Sequence, residues 1–170
     1  MSIEEYRANI NRLIDEMSGE LALNGSHEHA SVILERMFAR AKNSVRILSR
    51  TLDPRIYAVP ETLEACRRFL GNTERECKVI VEEFPSNSHG FLSLGREYQN
   101  FQVKQVPDGL KKPVAINFAL MDRSGFRFEK DQTETTAIAA FGEKDLTNSL
   151  DKVFDRLWDK SVAAPAMEAA

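Results

Sequence analysis

The side chains of this sequence that could do chemistry are few, and most are arranged against it. His27 and His29 flank Glu28, but residues two apart on a helix point in different directions and no third ligand is near, so no metal and no cofactor is expected. Ser49 and Ser88 have no paired base to activate them. Gly90 and Gly95 bracket a segment without the Lys-Ser/Thr of a phosphate loop. Cys66 and Cys77 have neither CxxC nor metal-ligand spacing and are expected to be buried, reduced thiols. What remains is a set of cations: Arg46, Arg50 and Arg55 in one segment, and Lys111, Lys112, Arg123 and Arg127 around an apolar run that stops at Asp122. If they converge, their forked and flexible donors suit a phosphate. If they do not, they are solvated charges balanced by Glu82, Glu83, Glu129 and Asp131.

The elements that must position these residues follow from periodicity. Ile3, Tyr6, Ile10, Leu13, Ile14, Met17 and Leu21 make one helical stripe, and Ala30, Ile33, Leu34, Met37 and Phe38 make another. Residues 45–50 read as a strand, followed by a turn at 51–54 and a loop at 57–60. A helix is expected over 60–70, stopped by Gly71. The Val79-Ile80-Val81 run predicts a strand buried on both faces. After a short helix or turn at 91–98, residues 101–106 alternate as a strand. Residues 114–122 and 126–129 read as a hairpin joined through Asp122 and Gly125. Residues 135–141 predict another strand and 143–160 a final helix, with Leu146, Leu150, Val153, Phe154, Leu157 and Trp158 on its stripe. The expected organisation is an amphipathic N-terminal helix at 1–22, one domain at 23–161 and a disordered tail at 162–170. Strands alternating with helices predict an α/β architecture: a mixed, largely parallel sheet flanked by helices on both faces, with the extra N-terminal helix.

This order resembles one repeat of the phospholipase D-like superfamily over about residues 26–160. The resemblance rests on the helix-to-strand entry at 41–50, the hairpin after Asp122, and the strand-Gly142-helix close. It also rests on a degenerate form of the family's HxKxxxxD signature. With Asp122 set on the Asp, the His position falls on Ala115 and the Lys position on Asn117. Ala115 cannot attack phosphorus and Asn117 carries no charge to hold phosphate oxygens, so the resemblance implies a domain without catalytic residues. A structural role for Asp122 is to accept N–H bonds within its own turn. Single-repeat members of the superfamily pair, so a homodimer is implied, with the relic motif near its two-fold axis.

The 170 residues, 42% hydrophobic and 29% charged, suit one domain with a real core. No apolar run approaches the length of a membrane span and no leader is apparent, so a cytoplasmic location without membrane association is expected. The net charge of -3 argues against unspecific nucleic-acid binding as the main activity, although a local basic patch would allow it. The functional expectation is a binding or regulatory module acting through a protein partner or a phosphate-bearing ligand at Arg46, Arg50, Arg55, Lys111, Lys112 and Arg123. The alternatives are a sequence-tolerant nucleic-acid binder that does not cleave and a phosphodiesterase with an unrecognised site.

Overall fold

The computed structural model describes residues 1–85, 89–111, 116–129 and 137–163. Helix α1 (Ile3–Glu16) opens on a capping box in which Ser2 and Glu5 satisfy each other's backbone donors. It ends before the expected Leu21, because Met17 takes a left-handed conformation. Strand β1 (Ala22–Asn24) follows, where the sequence suggested only a break. Then come α2 (His27–Arg40), capped by Ser26, and β2 (Ser44–Ser49). The expected loop before Pro60 instead holds a one-turn helix, α3 (Pro54–Tyr57), capped by Asp53 and started by a proline at its first position.

Helix α4 (Pro60–Leu70), β3 (Glu76–Val81), α5 (Gly90–Glu97) and β4 (Phe101–Gln105) fall close to their expected places. A 3-10 turn at Asp108–Leu110 leads towards the hairpin β5 (Asn117–Met121) and β6 (Gly125–Glu129). Strand β7 (Ala137–Phe141), α6 (Lys144–Lys160) and β8 (Val162–Ala163) complete the chain. Val162 and Ala163 therefore do not belong to a structureless tail: they pair with Gln105 and Lys104 at the sheet edge.

The described strands form one eight-stranded mixed sheet in the order β1-β7-β6-β5-β2-β3-β4-β8. The mixed α/β architecture is as expected. Parallel pairing is confined to β2–β3 and β3–β4, and the remaining neighbours run antiparallel. The hairpin and the return of β7 beside it supply much of this antiparallel share, because consecutive short-linked strands cannot pair in parallel.

One face packs Val45, Ile47, Val79, Val81, Ala119 and Met121 against α1 to α5 through Ile10, Ile33, Met37, Phe38, Phe69 and Phe91. The other packs Leu48, Ile80, Phe118, Leu120 and Phe126 against Leu150 and Phe154 of α6. Phe154 is fully buried, so truncating it to Ala is expected to cost roughly 3–5 kcal/mol. At the last turns of α6, the Lys78 and Lys104 ammonium groups lie 5.2 and 4.4 Å from the Trp158 ring centroid. Gly142 has φ +92°, and a Cβ there would sit 2.0 Å from the Met17 carbonyl oxygen, so the end of α1 closes directly on the β7–α6 junction. Cys66 and Cys77 are free and buried, and burial pushes both thiols up. Among the described residues no helix is long and apolar enough to cross a membrane.

Candidate functional site

The antiparallel register of β2 and β5 decides where the motif residues go. Leu48 faces Phe118 and Val45 faces Met121. Asn117 is thereby carried to the carboxyl end of β2 and Asp122 to its amino end. At the carboxyl end the Asn117 Oδ1 accepts the Arg50 N–H at 2.9 Å. There a cleft of about 210 Å³ opens between β2, β5, β6, α3 and the start of α2. The crevice outside the carboxyl ends of parallel strands is where open α/β sheets bind ligands.

The cleft floor is polar and buried. Arg127 is 2% exposed; its Nε donates to Asn24 Oδ1 at 2.8 Å and its Nη2 reaches Glu129 Oε2 at 3.4 Å. That second separation is long for a charged hydrogen bond. Accordingly, burial is the largest influence on Glu129 and raises its pKa, with Arg127 opposing it only in part. Burial also pushes the Tyr57 phenol up to about 12, so it is a neutral hydrogen-bonding group in the cleft and not a base.

The rim is carried by α3. Partial burial works against the charge of Asp53, but hydrogen bonds from Arg55, together with the nearby Arg55 and His27, outweigh it and hold the carboxyl below its ordinary value. Arg55 donates from its backbone at 2.9 Å and from Nη2 at 2.8 Å, and His27 Nε2 lies 3.4 Å from Asp53 Oδ2. Ser49 is used structurally: its Oγ accepts the Leu52 N–H at 3.0 Å.

Of the cations singled out in the sequence, Arg50, Arg55 and Arg127 line this cleft. Arg46 does not. It alternates onto the opposite sheet face and lies under α6, with Nη1 2.7 Å from Asp155, 3.3 Å from Asp151, and its guanidinium 5.2 Å from the Phe154 ring. Arg123 stands in the hairpin turn, at the other end of β5, and Lys111 pairs with Asp108 at 2.9 Å outside the cleft lining. Lys112 and Ala115 lie outside the described residues.

Asp122 does not cap its own turn. Its carboxylate accepts the N–H groups of Lys42, Asn43 and Ser44 at 2.7, 2.7 and 3.0 Å, holding the α2–β2 connection. Its φ of +52° turns it towards that connection, in a left-handed conformation that Asp tolerates better than most residues. His89, a buried residue, donates from Nε2 to the Leu52 carbonyl at 2.7 Å and accepts the Phe91 N–H at Nδ1, so it caps α5.

Three polar side chains of the cleft lining, Glu129, His27 and Tyr57, escaped sequence reasoning as site residues, as did Asn24, which lies outside the lining as the partner of Arg127. Glu129 read as a surface counter-charge, His27 was weighed for metal and as a stand-in for the missing histidine and set aside in both roles, Tyr57 read as part of a loop, and Asn24 only as part of a helix break. Asn24 meets Arg127 across more than half the chain, through the edge strand β1.

Comparison with solved structures places the fold. Nuc from Salmonella typhimurium, a phospholipase D family member, superposes with a TM-score of 0.62 at 13% identity, covering 86% of this chain and 99% of that one. NucT from Helicobacter pylori superposes with a TM-score of 0.63 at 11% identity, covering 85% and 99%. TrmBL2, an archaeal chromatin protein whose structure shows a novel mode of DNA binding, gives a TM-score of 0.63 at 12% identity; the match covers 95% of this chain but only 60% of that protein. The fold is thus phospholipase D-like. No curated protein matches the chain by sequence. A family model described as Domain of unknown function (DUF7931) matches residues 26–169, a span that starts after α1 and β1, and the chain therefore belongs to that family.

Proposed function

We propose that this chain is a non-hydrolytic phospholipase D-like module that binds a phosphate-bearing ligand in the cleft at the carboxyl end of β2. It acts through a protein partner, and as a homodimer. The observation that carries this reading is that Arg50, Arg55 and Arg127 share one cleft with Asn117, the residue that stands at the Lys position of the HxKxxxxD frame. Arg55 pairs with Asp53, Arg127 with Glu129 and Arg50 with Glu83 at 3.5 Å, so an incoming phosphate competes with these carboxylates for the guanidinium donors. A neutral amide at Asn117 donates to an oxygen but does not offset charge developing on phosphorus, which favours binding over turnover.

A second reading has its own observation. His27 lines the same cleft and is held by Asp53, so a histidine-dependent phosphodiester hydrolysis would centre there. A third, sequence-tolerant nucleic-acid binding without cleavage, takes the same arginines as backbone contacts.

One set of titrations separates the three. Labelled single- and double-stranded DNA and RNA are titrated by fluorescence anisotropy across salt, with inorganic phosphate as competitor, on wild type and Arg55→Ala. The first reading expects phosphate to bind, Arg55→Ala to weaken it, and bis(p-nitrophenyl) phosphate to remain intact. Binding of oligonucleotides near physiological salt, with a clear log-log slope, moves the assignment to the nucleic-acid backbone. Turnover that disappears in His27→Asn establishes the hydrolase. If neither phosphate nor oligonucleotide binds, the cleft assignment fails.

A further inference from the structure

The sheet face opposite the cleft has an opening of its own. It lies where the last turns of α6 leave the ends of β2, β4 and β5 uncovered, and it measures about 300 Å³. Its walls are apolar: Leu48, Val106, Leu110 and Ile116 on the sheet side, Val153 and Leu157 on the helix. Leu110 and Val153 are 42% and 40% exposed, so apolar surface is left in water at the mouth of a concavity. Filling it with an apolar body is favourable in proportion to the area removed from water.

The rim supplies the second half of the chemistry. Arg156 and Lys160 stand one helical turn apart at the groove, both exposed. Neither side chain has an ion-pair or hydrogen-bond partner among the described residues. The cleft cations differ: Arg55 and Arg127 are each tied to a carboxylate. Across the groove stands Glu82, the one acidic side chain of the described lining; burial is the largest influence on it and raises its pKa, Glu83 adds to this, and Arg50 and Lys111 pull the other way, so the two cations of the rim outnumber the acid they face.

We propose that this groove binds a monomeric anionic amphiphile: one aliphatic chain among Leu48, Val106, Ile116 and Leu157, ending in a carboxylate held by Arg156 and Lys160. The apolar walls select the chain and the paired cations select the charge. The volume lies at the lower end of the roughly 300–1,000 Å³ range of ligand sites, which fits one medium-length chain and not a two-tailed lipid. The proposal does not depend on the reading of the cleft.

The test is isothermal titration of the full chain with decanoate below its aggregation concentration, with decyltrimethylammonium as the charge-inverted control. One saturable site is expected for decanoate and none for the cation. Arg156→Gln combined with Lys160→Gln, both exposed and outside the core, is expected to weaken decanoate about tenfold. Val153→Phe, which narrows the mouth from an exposed position, is expected to abolish binding. Equal binding of the two decyl compounds, an unchanged affinity in the double variant, or no saturable decanoate binding overturns the proposal. So does sedimentation of a dimer that Val153→Glu converts to monomer, because a second copy would then occupy the groove.

Discussion

The two ends of β5 share one strand and have opposite roles. At the lower end, Asp122 takes three backbone N–H groups from the α2–β2 connection, and one strand away Arg46 is closed under α6 between Asp151 and Asp155. Asp122 and Arg46 there hold elements of the chain together. At the upper end, Asn117, Arg50, Arg127, Glu129 and Tyr57 surround a cleft. The floor arginine there is balanced by one distant carboxylate and one neutral amide. A charged side chain that clamps two elements and one that faces an opening are the same residue type in the sequence. What separates them is whether an element lies over them.

The contrast is sharpest in stability. Arg46→Ala leaves Asp151 buried without its cation and is expected to cost about 3–5 kcal/mol in chemical denaturation, with ligand binding at the cleft unchanged. A loss confined to cleft binding would break the distinction. Asp122→Ala removes three charge-assisted acceptor contacts and is expected to cost about 2–3 kcal/mol, again without touching the cleft. Asp122→Asn is expected to recover part of that, since its one amide oxygen still accepts.

The upper end answers to pH. The Glu129 carboxyl is raised in the fold above its ordinary 4.5, so the folded state binds a proton there that the unfolded chain has released. Its contribution is fully present below pH 4.5 and is lost as pH rises through the raised value. A Tm-against-pH series is therefore expected to fall over that window in wild type, and Glu129→Gln is expected to remove the Glu129 part of the slope. If the wild-type slope minus that of Glu129→Gln has the opposite sign, Arg127, and not burial, governs this carboxyl. The smallest effect belongs to the rim. Arg55→Ala is expected to leave Tm in place, because Arg55 is exposed, and to weaken phosphate binding severalfold by titration.

Much of the fold was legible because it is locally encoded. The stripe of α6, the apolar run of β3 and the turn between β5 and β6 each depend on residues a few positions apart. Strands β1 and β8 were not legible: three and two residues carry no periodicity, and they become strands only because β7 and β4 offer them an edge. The site was legible in part. Arg50 and Arg55 were singled out and line the cleft, whereas Arg46 was singled out and is an internal clamp.

By itself the sequence determined the α/β composition, the hairpin through Asp122 and the neutral residue at position 117, because these follow from side-chain chemistry and short-range spacing. Only the tertiary structure decided which arginines meet, that Asp122 serves a connection 80 residues away, and that Arg127 rests on Asn24 from a strand at the sheet edge. Those outcomes depend on strand register, and a shift of one residue would send every side chain of β2 or β6 to the opposite face.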